Sequence, residues 1–330
     1  MTETQRNLEP AVPVIWLLGK TGAGKTSLVR ALTGAGEVGN GFEPGTRGAA
    51  VHDFPPQAAA VRFLDTRGLG ETGYDATPDL EQAGKTAQAI LAVIRLDDPV
   101  QAPVVAVLRD TSLPVLLVFT GADLVTETGA QVRARAHVTS MIGREFPSVT
   151  MALPADGLVV GIEALLDALD SFMPRAASIL RRAEEARAFA KNRPLVLRYA
   201  AMAGASDVVP LTGLATVPAA QGAMLHALAR KYDVELTPAR MGLLASALGT
   251  GALVRMATGM ALRQGAKLIP GFGQTLGAAA AAGTSFATTY ALGRAASAWL
   301  HGLSRGAAPD SATLRSLYDQ ALKGAKHAAD

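Results

Sequence analysis

The strongest constraint on the fold is an eight-residue sequence near the start of the chain, Gly19-Lys20-Thr21-Gly22-Ala23-Gly24-Lys25-Thr26. It matches the pattern G-x-x-x-x-G-K-[S/T], follows the apolar run Val14 to Leu18 and precedes the helix-like stretch Ser27 to Leu32. A glycine-rich turn between a strand and a helix can wrap its backbone N–H groups around a phosphate. The pattern therefore predicts a strand, a phosphate-binding loop and a helix, in that order. We call Gly19–Thr26 the phosphate loop.

Residue types within the phosphate loop predict separate roles. The Lys25 ammonium is expected to reach the β- and γ-phosphates of a nucleoside triphosphate, and the Thr26 hydroxyl to bind Mg²⁺. The helix that begins beside Ser27 contributes the positive end of its dipole. The predicted phosphate-binding residues are therefore Gly19, Lys20, Thr21, Gly22, Ala23, Gly24, Lys25, Thr26 and Ser27.

Two further segments are predicted to complete the phosphate and metal site. Asp65-Thr66-Arg67-Gly68 follows the apolar run Ala60 to Leu64. Asp65 is expected to hold the Mg²⁺ shell through water, and the Gly68 N–H to meet the γ-phosphate. Thr46 lies in the predicted loop Gly41 to Gly48, where a threonine can close over Mg²⁺ when the γ-phosphate is present. Lys25, Thr46 and Gly68 are the predicted catalytic residues, and Thr26, Thr46 and Asp65 the predicted metal ligands.

The sequence Thr120-Gly121-Ala122-Asp123 ends the apolar run Val115 to Phe119 and is the candidate base-binding segment. The Asp123 carboxylate could accept hydrogen bonds from the guanine N1–H and exocyclic amine, which adenine does not offer. Pro154 and Ala155 follow another short strand and could support the base. The cofactors predicted are therefore GTP or GDP with Mg²⁺, although Gly121 leaves an ATP-using protein as an alternative.

Apolar runs separated by helix-like segments, with a further run at Ala89 to Leu96, indicate an α/β fold with a mainly parallel sheet covered on both faces. This domain is predicted over residues 1–172. The region after it is predicted to be all-α and rich in Ala and Gly, with a connector over 173–198, a hydrophobic helical domain over 199–305 and an amphipathic helix in 306–330. The connector is basic, with seven Lys or Arg and two Glu between Arg175 and Arg198, and Pro194 is expected to break or kink it.

Composition excludes several classes of protein. The chain has no cysteine, which rules out disulfides and cysteine-based metal sites. A formal net charge of +3 is too small to indicate nucleic-acid binding. Met1 to Pro10 is polar and has no signal-peptide core, so we expect the nucleotide-binding domain to face the cytoplasm.

Together the four motifs resemble the Era-like branch of the translation-factor-related GTPases, over roughly Val12 to Phe172, and the phosphate loop is also similar to those of septin-like and immunity-related GTPases. The resemblance implies GTP binding and slow hydrolysis that switches conformation. Where Ras-like members carry a glutamine that orients water, this chain has Leu69. It therefore resembles GTPases that recruit catalytic groups from elsewhere, often through a homodimer or an activating partner.

The second half, about Leu195 to Arg305, resembles a domain shared with YcjF-type bacterial membrane proteins. The resemblance is carried by Asp207-Val208-Val209-Pro210-Leu211, Tyr232-Asp233-Val234-Glu235-Leu236 and Lys267-Leu268-Ile269-Pro270-Gly271-Phe272-Gly273. It implies association with a bacterial inner membrane. Two stretches without formal charge, Val208 to Ala229 and Leu268 to Gly293, are long enough to span a bilayer but rich in Ala, Gly and Thr. A water-soluble bundle, peripheral membrane contact and a transmembrane hairpin therefore all stay open.

The sequence favours a molecular switch whose helical half passes the signal to a membrane or protein partner. A ribosome- or RNA-associated assembly GTPase is the second hypothesis, and an ATP-using protein with the same loop is the third.

Overall fold

The structure is a computed structural model of the 330-residue chain. It describes residues 12–34, 39–42, 49–66, 68–69, 77–155, 159–207, 213–249, 276–306 and 308–327. The chain divides into two compact units, Met1–Glu184 and Glu185–Asp330. This boundary lies inside the predicted connector 173–198.

The first unit is built on a seven-stranded sheet among its described residues. The strands are β1 (Val14–Leu18), β2 (Gly39–Phe42), β3 (Ala49–Phe54), β4 (Val61–Thr66), β5 (Ala89–Arg95), β6 (Val115–Thr120) and β7 (Ser148–Thr150). Their order across the sheet is β2-β3-β4-β1-β5-β6-β7. Strands β4, β1, β5, β6 and β7 are mutually parallel, so their carboxyl ends, with the phosphate loop and the T-G-A-D sequence, lie along one edge.

Helices cover both faces of this sheet. They are α1 (Lys25–Thr33), α2 (Thr77–Thr86), α3 (Ala102–Asp110), α4 (Thr128–Ile142) and α5 (Ile162–Asp170). Side chains of α1 and α5 pack with one face of β1, including Ile15 and Leu17, while side chains of α2, α3 and α4 pack with the other, including Trp16. The central strands are buried on both faces, which explains their continuous apolar sequences. The predicted α/β class is confirmed.

An antiparallel edge was not predicted. Strand β3 pairs antiparallel with β4, and β2 pairs antiparallel with β3. The first two residues of the predicted loop Gly41 to Gly48 belong to β2, so that part of the loop prediction is wrong. The sequences Gly-Asn-Gly-Phe and Ala-Ala-Val-His-Asp-Phe lack the continuous apolar character of a central strand. Strand β2 is at the edge of the sheet, and β3 lies between it and β4.

The second unit is helical, as predicted. Helix α6 (Pro174–Ser206) crosses the boundary between the units and is followed by α7 (Gly213–Lys231), α8 (Pro238–Leu248), α9 (Leu276–Ser304) and α10 (Ser311–His327). Buried residues from all five helices form a cluster around Val196, Met224 and Trp299. No helix in the described part of the chain is both long enough and apolar enough to cross a membrane.

Helix α6 does not break at Pro194, because it stays helical on both sides, so this part of the prediction is wrong, and a kink there stays a prediction. A proline inside a helix costs about 3 kcal/mol through its missing N–H and its ring clash. Phe189 and Val196, on either side of Pro194, are buried in the core of the second unit. Burying two such side chains is worth about 1.5–3 kcal/mol each, which is enough to offset the cost.

Candidate functional site

The phosphate loop connects the end of β1 to the start of α1. A Cβ atom on Gly19 would lie only 2.5 Å from the Val93 carbonyl oxygen, so a larger residue would push the loop away from β5. Gly24, which precedes the first helical residue, has φ of 95°, a conformation that glycine adopts without strain. The sequence therefore lets the chain turn sharply from a buried strand into a helix at the carboxyl edge of the sheet.

Lys25, Thr26 and Asp65 meet beside this loop. The Lys25 ammonium is buried and donates to the carbonyl oxygens of Gly19 and Lys20, each at 3.2 Å. It also lies 3.9 Å from Asp65 Oδ1. The Thr26 hydroxyl donates to Asp65 Oδ2 at 3.2 Å. The structure thus brings Lys25 and Thr26 together with a carboxylate that lies 39 residues after Thr26 in the sequence.

The oxygen atoms of this cluster suit Mg²⁺, which prefers hard oxygen ligands. Asp65 Oδ1 is buried and accepts no hydrogen bond from the described residues. A buried carboxylate oxygen without a donor is costly, and a bound cation would remove that cost. Thr26 and Asp65 therefore fit the predicted role of metal-binding residues.

His52 is a neighbour of this cluster that the sequence did not indicate. Its imidazole is buried, and Nε2 lies 3.8 Å from Asp65 Oδ2. Neither ring nitrogen has a hydrogen-bond partner within the described part of the chain. Strand β3 carries His52 opposite Phe63, two residues before Asp65 on β4. Only the pairing of β3 with β4 reveals this neighbour.

Gly68 and Leu69 lie directly against the phosphate loop. The Leu69 N–H donates to the Gly19 carbonyl at 3.2 Å, and Gly68 is so close to Thr21 that a Cβ atom would overlap the Thr21 backbone. The Leu69 side chain is buried in the core cluster that includes Leu18 and Leu64. Gly68 thus lies beside the phosphate loop, and the Leu69 side chain is packed inside the protein.

The T-G-A-D sequence is hydrogen-bonded to the phosphate loop. The buried Thr120 hydroxyl donates to the Ala23 carbonyl at 2.8 Å. Gly121 has φ of 78°, and the exposed Asp123 follows it. The Ala122 N–H donates to the Met151 carbonyl, next to the segment after β7 that carries Pro154 and Ala155. Asp123, Pro154 and Ala155 therefore follow two adjacent parallel strands.

The end of β5 supplies a charged cluster that the sequence analysis missed. Arg95 Nε donates to Asp97 Oδ1 at 2.7 Å, and Lys20 Nζ pairs with Asp98 Oδ2 at 2.6 Å. The Arg95 guanidinium lowers the pKa of Asp97. Burial opposes ionisation of Asp98, but the Lys20 ammonium and the Val100 N–H outweigh it and lower the pKa of Asp98. The only signal in the sequence that could have indicated this cluster is the run Arg-Leu-Asp-Asp, which begins at the last residue of β5.

The remaining predicted site residues lie in or beside the phosphate loop or outside the described part of the chain. Gly22 and Ser27 are in the loop and the first turn of α1, and Ser27 is exposed. Thr46 lies outside the described residues, so its predicted role stays a prediction.

Part of the chain is similar to a known protein family. A family model described as 50S ribosome-binding GTPase matches residues 14–121, which contain the phosphate loop, Asp65 to Gly68 and the first residues of T-G-A-D. No curated protein sequence matches the chain.

Several solved structures are similar to the chain. The G domain of the FeoB iron transporter of T. maritima is 22% identical, with 49% of this chain and 99% of that one covered and a TM-score of 0.37. The Sar1-type small GTPase of Encephalitozoon cuniculi in complex with GDP is 14% identical over 53% and 80% of the two chains, with a TM-score of 0.34. Toc33 of Arabidopsis thaliana with Mg²⁺ and GMPPNP is 20% identical over 44% and 73%, with a TM-score of 0.32.

The family match covers the segment in which the phosphate loop, the aspartate-to-glycine segment and the parallel sheet come together. Residues 14–121 of the first unit therefore match a GTPase family, which supports a P-loop GTPase domain in this part of the chain.

Proposed function

We propose that the chain is a Mg²⁺-dependent GTP switch that hydrolyses GTP slowly. The observation that carries the proposal is the meeting of Lys25, Thr26 and Asp65 beside the phosphate loop, with Thr26 Oγ1 3.2 Å from Asp65 Oδ2. A lysine, a hydroxyl and a carboxylate at the carboxyl edge of a parallel sheet are the groups that phosphoryl transfer from a nucleotide requires.

The side chains divide the work of binding and hydrolysis. Lys25 exchanges its carbonyl partners for phosphate oxygens, and the backbone N–H groups of the loop and of the first turn of α1 bind the phosphates. Thr26 and Asp65 would hold Mg²⁺, which would supply positive charge beside the phosphates. The Gly68 N–H, and Thr46 from its loop, sense the γ-phosphate. Whether these two segments are ordered then depends on which nucleotide is bound.

Nucleotide selectivity is assigned to Asp123. Hydrogen bonds to two guanine donors support at least a tenfold preference for GTP over ATP, or about 1.4 kcal/mol. Competition against a fluorescent guanine nucleotide tests this, with Asp123→Ala expected to reduce the preference and Lys25→Ala to abolish binding. Equal competition by ATP and GTP in the wild type would refute the assignment of guanine.

The rate of hydrolysis is expected to be low because the buried Leu69 side chain can donate no hydrogen bond to water. We expect a single-turnover rate on the order of 10⁻² s⁻¹ or lower. A rate that rises with protein concentration would support completion of the site by a homodimer. A fast rate independent of concentration would show that a group in the same chain completes it, and slow hydrolysis would then be excluded.

The helical unit is proposed to carry the output of the switch, at the cytoplasmic face of a membrane. The support is the resemblance of Leu195 to Arg305 to YcjF-type membrane proteins and the basic sequence of α6, which suits anionic headgroups. Flotation with anionic liposomes, in GDP and in a GTP analogue, tests it. Binding that depends on nucleotide is expected, and a protein that never floats in any state would exclude lipid as the target.

A second candidate function is a role on the ribosome. The observation that favours it is the description of the matching family, which names binding to the 50S ribosome. Co-sedimentation with 50S subunits, with GDP or a GTP analogue, separates the two candidates. Sedimentation that requires the analogue would favour the ribosome over the membrane.

A further inference from the structure

Two carbonyl groups of the phosphate loop accept hydrogen bonds from residues outside the loop. The Leu69 N–H donates to Gly19 O, and the Thr120 hydroxyl donates to Ala23 O. When carbonyls are held from outside, the N–H groups of the same peptides stay turned inward, where they can bind an anion. The geometry of the loop therefore depends on the groups that hold its carbonyls.

Arg95 is one of these groups and comes from β5. Its Nη1 lies 3.5 Å from the carbonyl oxygen of Gly22, at the turn of the phosphate loop, where φ is 78°. Arg95 stands in register with Thr120 on β6, which holds the neighbouring peptide of Ala23. Two adjacent strands thus place two donors on two consecutive carbonyls of the loop.

Asp97 fixes the direction of the Arg95 side chain. It accepts from Nε and from Nη2, a two-point pairing that only a guanidinium can make. This pairing uses one edge of the guanidinium and leaves Nη1 for the Gly22 carbonyl. The orientation of Arg95 is thus set by a carboxylate two residues away on the same chain.

The neighbouring acid ties the same loop to α3. Asp98 pairs with the Lys20 side chain at 2.6 Å and accepts from the Val100 N–H at 3.0 Å, while its carbonyl accepts from Gln101 just before α3. Arg-Leu-Asp-Asp therefore contacts the phosphate loop at two points, Lys20 and Gly22.

We propose that Arg95, oriented by Asp97, is a positioning residue that holds the Gly22 peptide so that the phosphate loop keeps its N–H groups turned towards the nucleotide phosphates. The inference rests on the proposed function, since it concerns the loop that would hold the nucleotide. It assigns to β5 a role in affinity that is separate from the recognition of guanine by Asp123.

The test is a double-mutant cycle measured with GDP carrying a fluorescent label. Arg95→Ala is expected to raise the dissociation rate about tenfold, which corresponds to about 1.4 kcal/mol. Asp97→Ala should raise it by a similar factor, and the double variant should release the label within about twofold of Arg95→Ala, because both changes remove one interaction. Arg95→Lys keeps the charge but cannot make the two-point pairing, so it should also release faster than wild type.

Two comparisons separate positioning from a folding defect and from base recognition. A loss of folded protein lowers the amplitude of binding but leaves the dissociation rate of the bound fraction unchanged. The ratio of GTP to ATP affinity should fall much more for Asp123→Ala than for Arg95→Ala, because only Asp123 is proposed to contact the base. The control is Arg133→Ala on α4, whose ion pair with Glu127 is 70% exposed on both sides and should not affect release.

The outcomes distinguish a failure of the proposed function from a failure of the role proposed for Arg95. If wild type and Lys25→Ala bind equally poorly, the proposed function fails and this inference fails with it. If wild type binds, Lys25→Ala does not, and Arg95→Ala and Arg95→Lys release at the wild-type rate, only the role of Arg95 is refuted. Additive effects of Arg95→Ala and Asp97→Ala would refute the role of Asp97.

Discussion

The Asp65 carboxylate lies between the first turn of α1 and strand β3. Thr26 donates to one of its oxygens, and the buried His52 ring lies 3.8 Å from the same oxygen. The other oxygen has no hydrogen-bond donor among the described residues, although Lys25 is 3.9 Å away. A carboxylate held in this way is suited to bind a cation, because the oxygen atoms that would ligate the cation are already close together.

Substitution of Thr26 tests the metal site directly. Thr26→Ala removes the hydroxyl and should weaken the stabilisation of bound GDP by Mg²⁺ at least tenfold, about 1.4 kcal/mol. The measurement is the dissociation rate of labelled GDP as a function of free Mg²⁺. Ser27→Ala is the matched control, because it removes an exposed hydroxyl one residue later and leaves the backbone N–H in place. Equal Mg²⁺ dependence in wild type and Thr26→Ala would contradict the assignment.

Leu69 gives a second prediction at the residue scale. Its side chain is only 5% exposed and packs in the core. Leu69→Gln places an amide where a leucine was buried and should lower the stability of the first unit by about 1–3 kcal/mol. We expect no increase in the single-turnover hydrolysis rate. Denaturant unfolding and a hydrolysis assay on the same variant measure both effects, and a clear gain in rate would show that this residue faces the γ-phosphate.

Helix α9 shows how small residues act at the scale of an element. A Cβ atom on Gly293 would collide with the Val196 side chain of α6 and come within 3.0 Å of Met224 Sδ on α7. Buried polar side chains hold the same helix: Ser285 donates to Asp207 at 2.6 Å, and Gln221 donates to Thr289 at 3.1 Å. Close approach at glycine and paired polar groups together fix the position of α9 among its neighbours.

Two glycines of α9 make a matched pair for testing this packing. Gly293→Ala should destabilise the second unit by about 1–3 kcal/mol, because the added methyl overpacks the core. Gly283→Ala meets no atom within 4 Å and should stabilise it by about 0.5–1 kcal/mol through the better helix propensity of alanine. Thermal unfolding followed by circular dichroism measures both. The packing argument is wrong if the two variants shift the midpoint in the same direction.

At the scale of the whole molecule, the chain has two units with separate cores. The first has a cluster on each face of its sheet, and the second has a cluster among its helices. The boundary between them, after Glu184, lies inside helix α6. Each unit thus has the buried apolar residues that an independent unfolding transition needs.

Calorimetry with nucleotide tests this division. GDP that binds only the first unit should raise the free energy of unfolding of that unit alone, by about 2.7 kcal/mol at a GDP concentration 100 times the dissociation constant. The melting temperature of the first unit should rise accordingly. The transition of the helical unit should stay where it is. Lys25→Ala, which cannot hold the phosphates, should show no shift with GDP. A single transition that moves as a whole would show that the two units unfold together.

The sequence alone determined much of the GTPase domain. Four strands were predicted within two residues of their observed ends, because buried parallel strands are continuous apolar runs, and three of the four were followed by residues of a recognisable motif. The convergence of Lys25, Thr26 and Asp65 was also predictable, since the carboxyl ends of parallel strands share one edge of the sheet.

Only the tertiary structure decided the rest. His52 and Arg95 have no motif of their own, and they become part of the site because β3 pairs antiparallel with β4 and β5 ends beside the turn of the phosphate loop. Pro194 stays within α6 because burial of Phe189 and Val196 offsets its cost. In each case the deciding energy comes from partners distant in the sequence, and local residue preferences contain no information about such partners.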